Sequence, residues 1–166
     1  VLEIGAGSGY AAAVLSEIAS DVYTVERIGQ LAEKAAAVLA DNGYLNVHVL
    51  HGDGTLGWPA HAPYDAIVVA AGGPRIPESL RNQLKIGGRL VIPVGSDIRA
   101  QELVRVTRVS ETEFRHEDLA DVRFVPLLGE QGWEVGAPRR ERRRVLSESK
   151  RPPTQIVADA AEPLDS

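Results

Sequence analysis

Several residue types are missing from this chain, and each absence narrows the classes of protein to which it can belong. There is no cysteine, which excludes disulfides and thiolate metal sites, and we predict no bound metal. No apolar run approaches the roughly 18 residues that cross a bilayer, and no secretory signal opens the chain. We therefore expect a soluble, cytoplasmic protein with no membrane partner. Because methionine is also absent and the chain opens inside a hydrophobic run, we expect its natural N-terminus to lie upstream of Val1.

Charge is unevenly distributed along the 166 residues. Residues 1–137 carry 11 lysines and arginines against 18 aspartates and glutamates, whereas residues 138–166 carry 7 against 5. An acidic body without a basic stripe argues against a nucleic-acid partner, because neutralising phosphate charge drives most of that affinity. We predict one domain at 1–136. The arginine- and proline-containing residues 137–166 are predicted to be a linker or tail, with a join to a further domain as the alternative.

Strands and helices alternate up to residue 94. The pattern predicts strands at 1–4, 22–25, 46–50, 65–70 and 89–94, and helices at 10–18, 31–39 and 77–84, the last ended by the glycines at 87 and 88. This alternation predicts an α/β fold with a Rossmann-like, doubly wound and mostly parallel sheet. Two further strands, at 102–109 and 122–127, are joined by a charged turn without a helix. They predict an antiparallel hairpin at one edge.

A glycine-rich turn follows the first predicted strand. Gly5, Gly7 and Gly9 let the backbone turn tightly and approach a ligand, while the amides at the start of the next helix face an anionic group. Glu26 ends the second strand about 20 residues later, where such folds hold the two hydroxyls of a ribose. The two signals together predict a nucleoside cofactor.

The spacing of the glycines separates two classes of nucleoside cofactor. A dinucleotide fingerprint needs Gly-x-Gly-x-x-Gly, but here the third glycine comes one residue early and Tyr10 takes the dinucleotide glycine's place. Glu3 suits a cationic amino group better than a pyrophosphate. We therefore predict S-adenosylmethionine, with Asp53 accepting a hydrogen bond from the adenine amino group while Gly54 lets the ring lie flat. Asp65 is interpreted as either structural or supporting the site.

Six stretches of the sequence, taken together, resemble the successive motifs of the protein-L-isoaspartate (D-aspartate) O-methyltransferases. They are residues 1–10, 22–27, 52–54, 62–67, 87–95 and 122–127. The first stretch is shared by many methyltransferases. Gly-Asp-Gly-Thr-Leu-Gly-Trp at 52–58, combined with Arg-Phe-Val-Pro-Leu at 123–127, is more specific. The match covers about 1–134 without large gaps, and it implies the S-adenosylmethionine-dependent methyltransferase fold.

The resemblance also implies where the cofactor and the substrate bind. The cofactor site would comprise Glu3, Gly5, Gly7, Ser8, Gly9, Glu26, Arg27, Asp53 and Gly54. The peptide substrate would lie near Arg123, Phe124, Val125 and Pro126, and we add Gly72, Gly73 and Pro74 as a second segment that handles it. Family members carry a further active-site segment with a hydroxyl residue before the first strand. Since that segment lies upstream of Val1, we expect this chain alone to be a poor catalyst.

The implied activity is methyl transfer to the carboxylate of L-isoaspartyl and D-aspartyl residues in damaged proteins, which initiates their repair. Such a carboxylate has a pKa of about 4, so at neutral pH it is ionised and needs no general base to attack a sulfonium methyl. Catalysis would depend on alignment and on exclusion of water, and the four histidines are interpreted as ordinary strand and loop residues. Two alternatives stay open: a methyltransferase for small molecules, and a nucleoside-binding fragment without activity.

Overall fold

The computed structural model describes residues 1–134, which form a seven-stranded mixed sheet flanked by helices. In chain order the elements are β1 Leu2–Ile4, α1 Tyr10–Ser16, β2 Val22–Glu26, α2 Gly29–Asp41, β3 Val47–His51, β4 Tyr64–Val69, α3 Glu78–Asn82, β5 Leu84–Asp97, β6 Ala100–Arg108 and β7 Phe114–Val122. Two short 3-10 turns, Gly54–Leu56 and Pro59–His61, lie between β3 and β4. The predicted domain boundary and the linker or tail at 137–166 lie outside the described residues.

The order of the strands in the sheet is β3-β2-β1-β4-β5-β6-β7. Strands β1 to β5 pair in parallel, whereas β6 is antiparallel to both β5 and β7. The predicted fold, a mostly parallel Rossmann-like sheet with an antiparallel hairpin at one edge, is therefore confirmed. The chain runs outward from β1 to β3 and then crosses to β4 on the other side of β1. Ligands of open α/β sheets bind where the strand order reverses in this way, beyond the carboxyl ends of the strands.

The main hydrophobic cluster lies on the face of the sheet that carries Leu2 and Ile4. Buried aliphatic residues of β4 and β5, including Ile67 and Leu90, join them in one cluster with Leu80 of α3. Full burial of each such side chain contributes about 1.5–3 kcal/mol. In residues 1–134, no helix combines the length and the apolar character that a membrane crossing requires.

The predicted helix at 77–84 is shorter than expected, and its predicted end is wrong. The helix ends at Asn82, and Gly87 and Gly88 lie inside β5. The register of β4 and β5 shifts between Tyr64 and Ala66, so the glycines accommodate an irregularity in the strand pair. A Cβ on Gly88 would lie 2.9 Å from the Tyr64 carbonyl oxygen, which explains why glycine is needed within this strand.

The second strand of the predicted hairpin is also misplaced. The strand runs over Phe114–Val122, the stretch that we predicted as a charged turn, and residues 123–127 follow it outside the named strands. None of the nine residues of β7 is buried, so this edge strand carries charges where a half-buried strand would carry apolar residues. Its Glu117 pairs with Arg105 of β6, with Oε1 and Nη2 2.8 Å apart.

Candidate functional site

A cavity of about 490 Å³ opens at the carboxyl edge of the parallel strands, next to the reversal of the strand order. Its lining residues are Ile4, Gly5, Gly7, Val25, Glu26, Arg27, Ile28, Leu31, Gly54, Ala70, Ala71, Val125, Pro126, Leu127 and Leu128. Among these described residues, Glu26 and Arg27 supply the charged groups and the rest are glycine or apolar. Ligand pockets of about 300–1,000 Å³ with few polar groups are typical of small-molecule and cofactor sites.

The glycine turn and the acidic end of β2 are joined directly. The amide of Gly7 donates to Oε2 of Glu26 at 2.9 Å, and the amide of Ile28 donates to Oε1 at 2.9 Å. Glu26 is 7% exposed, so its carboxylate is oriented by backbone groups before any ligand binds. Because a carboxylate has about four acceptor positions, both oxygens keep capacity for a further hydrogen bond.

Glycine is required in the turn because its backbone enters the left-handed region. Gly5, Gly7 and Gly9 have φ of 99°, 53° and 85°. The amides of Gly5 and Gly9 donate to the carbonyls of Val25 and Ala6, each at 2.8 Å, so the amides of all three glycines are used within the protein. Gly9 packs on α2, where a Cβ would lie 3.1 Å from Leu39, and neither it nor the exposed Ser8 lines the cavity.

Glu3 lies beside the cavity and not in its lining. Successive residues of a strand face opposite sides of the sheet, so Glu3 points away from the face that carries Leu2 and Ile4. Its carboxylate is 1% exposed and accepts a hydrogen bond from Oγ1 of Thr24 at 2.5 Å. Burial raises the pKa of Glu3, the Thr24 hydroxyl partly offsets this, and the neighbouring Glu26 raises it further. A buried carboxyl of this kind gains from a nearby cation.

Asp53 is held by groups of the protein itself. Its Oδ1 accepts from the amide and the hydroxyl of Thr55 at 2.9 and 2.7 Å, and its Oδ2 accepts from the amide of Glu130 at 2.8 Å. Partial burial acts to raise its pKa, but these hydrogen bonds and the charge of Arg27 bring the pKa below its usual range. The adjacent Gly54 does line the cavity, and a Cβ there would lie 2.4 Å from Ile4.

The structure brings the two predicted substrate-proximal segments together. Gly72 bridges to Pro126: its amide donates to the Val125 carbonyl at 2.7 Å, and its carbonyl accepts from Leu127 at 2.8 Å. Gly73 pairs with Val94 of β5, which ties the same segment to the sheet. Val125 and Pro126 line the cavity, and Val125 is 69% exposed. The rim of the cavity is therefore apolar and accessible.

The remaining predicted substrate residues lie next to this rim. Phe124 is held by its amide, which donates to Oε1 of the buried Gln101 at 2.8 Å. Arg123 lines a second cavity of about 740 Å³, between the end of β5 and the hairpin. That cavity contains neither the glycine turn nor Glu26, so the smaller cavity is the better candidate for the nucleoside. Pro74 follows Gly73 and is half-buried.

Sequence reasoning found the polar part of the cavity and, of its apolar part, only Val125 and Pro126, which it assigned to the substrate. Of the nine predicted cofactor residues, five line it, namely Gly5, Gly7, Glu26, Arg27 and Gly54, whereas Glu3, Ser8, Gly9 and Asp53 do not. The missed residues include Ile28 and Leu31, which are 55% and 37% exposed. Apolar residues exposed directly after an acidic strand end are a signal that could have indicated them.

The fold and the site together define a class, the Rossmann-like proteins of the S-adenosylmethionine-dependent methyltransferase fold, with the site where the strand order reverses. Within this class the comparison with known families is specific. The model of the family "Protein-L-isoaspartate(D-aspartate) O-methyltransferase" matches residues 1–132, and the chain belongs to that family. The resemblance seen in the sequence motifs is thereby confirmed.

Individual relatives agree with the family match. The chain is 70% identical over 138 residues to a protein-L-isoaspartate O-methyltransferase of Rhodopseudomonas palustris, covering 83% of this chain and 63% of the relative. It is 65% identical over 133 residues to protein-L-isoaspartate O-methyltransferase 1 of Geotalea uraniireducens, covering 80% of this chain and 61% of the relative. The chain thus spans a little over three fifths of the length of these relatives.

Solved structures show the same fold. A structure named protein-L-isoaspartate O-methyltransferase is 33% identical, with a TM-score of 0.74, and the match covers 79% of this chain and 42% of that chain. A Plasmodium falciparum structure, described as a putative protein-L-isoaspartate O-methyltransferase in complex with S-adenosyl-L-homocysteine, is 24% identical, with a TM-score of 0.65. That match covers 76% of this chain and 64% of that chain, and at this identity it shows the fold alone.

Proposed function

We propose that the protein containing this chain is an S-adenosylmethionine-dependent carboxyl methyltransferase that acts on L-isoaspartyl and D-aspartyl residues of damaged proteins and so initiates their repair. One observation carries the proposal. The carboxylate of Glu26, oriented by the amides of Gly7 and Ile28, lies in a nucleoside-sized cavity whose rim is formed by the exposed Val125 and by Pro126, which bridges to Gly72. A site for the cofactor and a surface for a peptide are thus adjacent.

The residues present fit S-adenosylmethionine. Glu26 would hold the ribose hydroxyls, and Gly54 would pack on the adenine, since the side chain of Ile4 leaves no room for a Cβ there. Glu3, whose burial raises its pKa, would lie near the ammonium group and gain from its charge. Gly5, Gly7 and Arg27 would complete the contacts from the lining. The remaining predicted cofactor residues, Ser8, Gly9 and Asp53, would support the site from outside the lining.

The proposed reaction needs no acid or base catalysis from the side chains of this protein. When bound, S-adenosylmethionine supplies a methyl group on a cationic sulfur, and the substrate carboxylate is ionised near neutral pH. The protein would contribute alignment of the two groups and removal of water from between opposite charges that cancel during the reaction. Ile28, Leu31, Val125 and Pro126 form apolar walls suited to excluding water.

Three measurements test the proposal. Calorimetry with S-adenosylhomocysteine should show binding, and thermal shift should show stabilisation by S-adenosylhomocysteine but none by NAD(H). Methyl transfer should occur to an isoaspartyl peptide and not to its aspartyl counterpart, which differs only in the linkage. A shift with NAD(H) alone would contradict the choice of cofactor. Methylation of small acceptors in place of the isoaspartyl peptide would favour the small-molecule alternative.

The expected weakness of this chain as a catalyst is tested in the same assay. The chain is compared with a form extended upstream of Val1 in the gene, under saturating cofactor. We expect similar binding of S-adenosylhomocysteine but much faster turnover by the extended form. Equal turnover would mean that segments within 1–134 handle the substrate on their own.

The cytoplasmic location and the lack of a nucleic-acid partner stay predictions from composition, to be checked by cell fractionation and by a binding assay with mixed-sequence DNA and RNA.

A further inference from the structure

A connected group of hydrogen bonds joins the loop after β3 to the chain that follows β7. Oδ2 of Asp53 accepts from the amide of Glu130 at 2.8 Å, and Oγ1 of Thr55 accepts from the amide of Gln131 at 3.1 Å. The Thr55 hydroxyl also donates to Oδ1 of Asp53 at 2.7 Å. We call these four residues the latch. It ties together parts of the chain that are 76 and 77 residues apart.

The latch lies directly behind residues that line the nucleoside cavity. Gly54, between Asp53 and Thr55, lines the cavity, and so does Leu128, which precedes Gly129. Thr55 is fully buried, so it makes its contacts inside the protein. A Cβ on Gly129 would lie 2.1 Å from Oδ1 of Asp53, which shows how closely the returning chain packs on the carboxylate.

The returning chain, residues 125–133, is anchored on its other side as well, and we call it the wall segment. The carbonyl of Gly72 accepts from the amide of Leu127 at 2.8 Å and from Nε1 of Trp133 at 3.0 Å. The side chain of Gln131 donates to Oγ of Ser79 at 2.6 Å and accepts from its amide at 3.1 Å. The wall segment is thus held between Gly72 on one side and Asp53 and Thr55 on the other, with Val125 to Leu128 facing the cavity.

We propose that Asp53 and Thr55 are positioning residues, which hold the wall segment against the cavity and so couple cofactor binding to the placement of Val125 and Pro126. The identity of the ligand and of the peptide rests on the proposed function, whereas the latch rests on the contacts alone. The proposal differs from direct recognition of adenine by Asp53. The position of the wall segment separates the two, because the Thr55 hydroxyl also holds Asp53 and a change in affinity alone would fit either role.

The test uses a matched pair of variants of the full 166-residue chain. Thr55→Val keeps the shape of the side chain but removes the hydroxyl, whereas Thr55→Ser keeps the hydroxyl. Both are made in a Trp58→Phe background, so that Trp133 is the sole tryptophan and acrylamide quenching of its fluorescence reports the position of the wall segment. We expect Thr55→Val to weaken S-adenosylhomocysteine binding about tenfold, the effect of one buried hydrogen bond, and to increase quenching. Thr55→Ser should stay within about twofold of the background in both measurements.

A further variant disturbs the latch from the wall segment, at Gly129. Gly129→Ala leaves Asp53 and Thr55 chemically intact but places a methyl group where the carboxylate lies, so it should produce the same two changes. If circular dichroism shows that Thr55→Val does not fold, Gly129→Ala tests the proposal in its place. Unchanged quenching or unchanged affinity in a folded variant would overturn the proposal, as would equal effects of valine and serine at position 55. If the background chain binds no S-adenosylhomocysteine, the proposed function fails, and quenching of Trp133 still decides whether the latch holds the wall segment.

Discussion

The centre of the sheet and its β7 edge are stabilised in different ways. All three residues of β1 are buried, and β1 pairs in parallel on both sides, whereas none of the nine residues of β7 is buried and it lies at the antiparallel edge. β1 is short: it crosses the core in three residues and is followed directly by the glycine turn. β7 is longer and is stabilised by cross-strand pairs such as Arg105 with Glu117. The chemistry follows the same division, because the nucleoside cavity lies at the ends of the buried strands.

The hairpin contributes to the site only through the chain that leaves it. The wall segment returns from β7 to the parallel strands and meets Gly72, Asp53 and Thr55 there. Evolutionary change in β6 and β7 could therefore alter the exposed surface while the cavity keeps its shape. This division leads to four predictions, in order of expected effect.

The largest difference is expected in stability. Ile67, in the middle of β4, is fully buried, and Ile67→Ala should destabilise the fold by about 2–5 kcal/mol through lost burial and a residual cavity. Leu119→Ala in β7, where the side chain is 46% exposed, should cost no more than about 0.5 kcal/mol. Urea unfolding of both variants measures this. Similar losses would show that the hairpin belongs to the cooperative core as much as the central strands do.

The next effect is expected in cofactor binding. Glu26→Ala removes the carboxylate that is fixed in the cavity, and the affinity for S-adenosylhomocysteine should fall by about 1.5–3 kcal/mol, the range for hydrogen bonds to a charged group. Glu102→Ala, a glutamate on the exposed side of β6, is the matched control and should bind as the parent does. Calorimetry gives both values, with circular dichroism to check the fold. An unchanged affinity in Glu26→Ala would remove the ribose assignment.

The same division explains what could be predicted from the sequence. The parallel strands were found because burial on both faces requires continuous apolar runs, as in 65–70, and their glycine and acid signals indicated the site. β7 was missed because an exposed edge strand, as at 114–122, carries charges and has the composition of a turn. Most of the apolar half of the cavity was missed for a related reason. Leu127 is held there by the hydrogen bond of its amide to the carbonyl of Gly72, more than 50 positions away, and single-sequence patterns carry no information on such contacts.

A third prediction concerns the pH at which the wall segment loosens. Hydrogen bonds lower the pKa of Asp53 in the folded protein, so the ionised carboxylate stabilises the latch at pH values above the ordinary aspartate pKa. This stabilisation is lost as the pH falls through the lowered pKa. Quenching of Trp133 should therefore rise below about pH 4. Asp53→Asn, which cannot ionise, should show high quenching at neutral pH and a weaker pH dependence. Identical pH profiles would mean that Asp53 does not hold the wall segment.

The smallest effect is expected from the ion pair of the hairpin. Nε and Nη2 of Arg105 donate to the two carboxylate oxygens of Glu117 at 3.0 and 2.8 Å. These hydrogen bonds lower the pKa of Glu117, so the pair stabilises the hairpin above the ordinary glutamate pKa and stops doing so as the pH falls through the lowered value.

Both side chains of the pair are more than a third exposed, so water and salt screen the attraction. Arg105→Gln should therefore lower the Tm only slightly at pH 7, and the difference from the parent should shrink in 1 M salt, where the screening length falls to about 3 Å. Glu117→Gln is the matched control and should behave alike, since either change removes the same pair. Affinity for S-adenosylhomocysteine should be unchanged in both. Weaker binding in either variant would show that β6 and β7 help to shape the nucleoside cavity, and the contrast between the centre and the β7 edge of the sheet would then hold for packing but not for function.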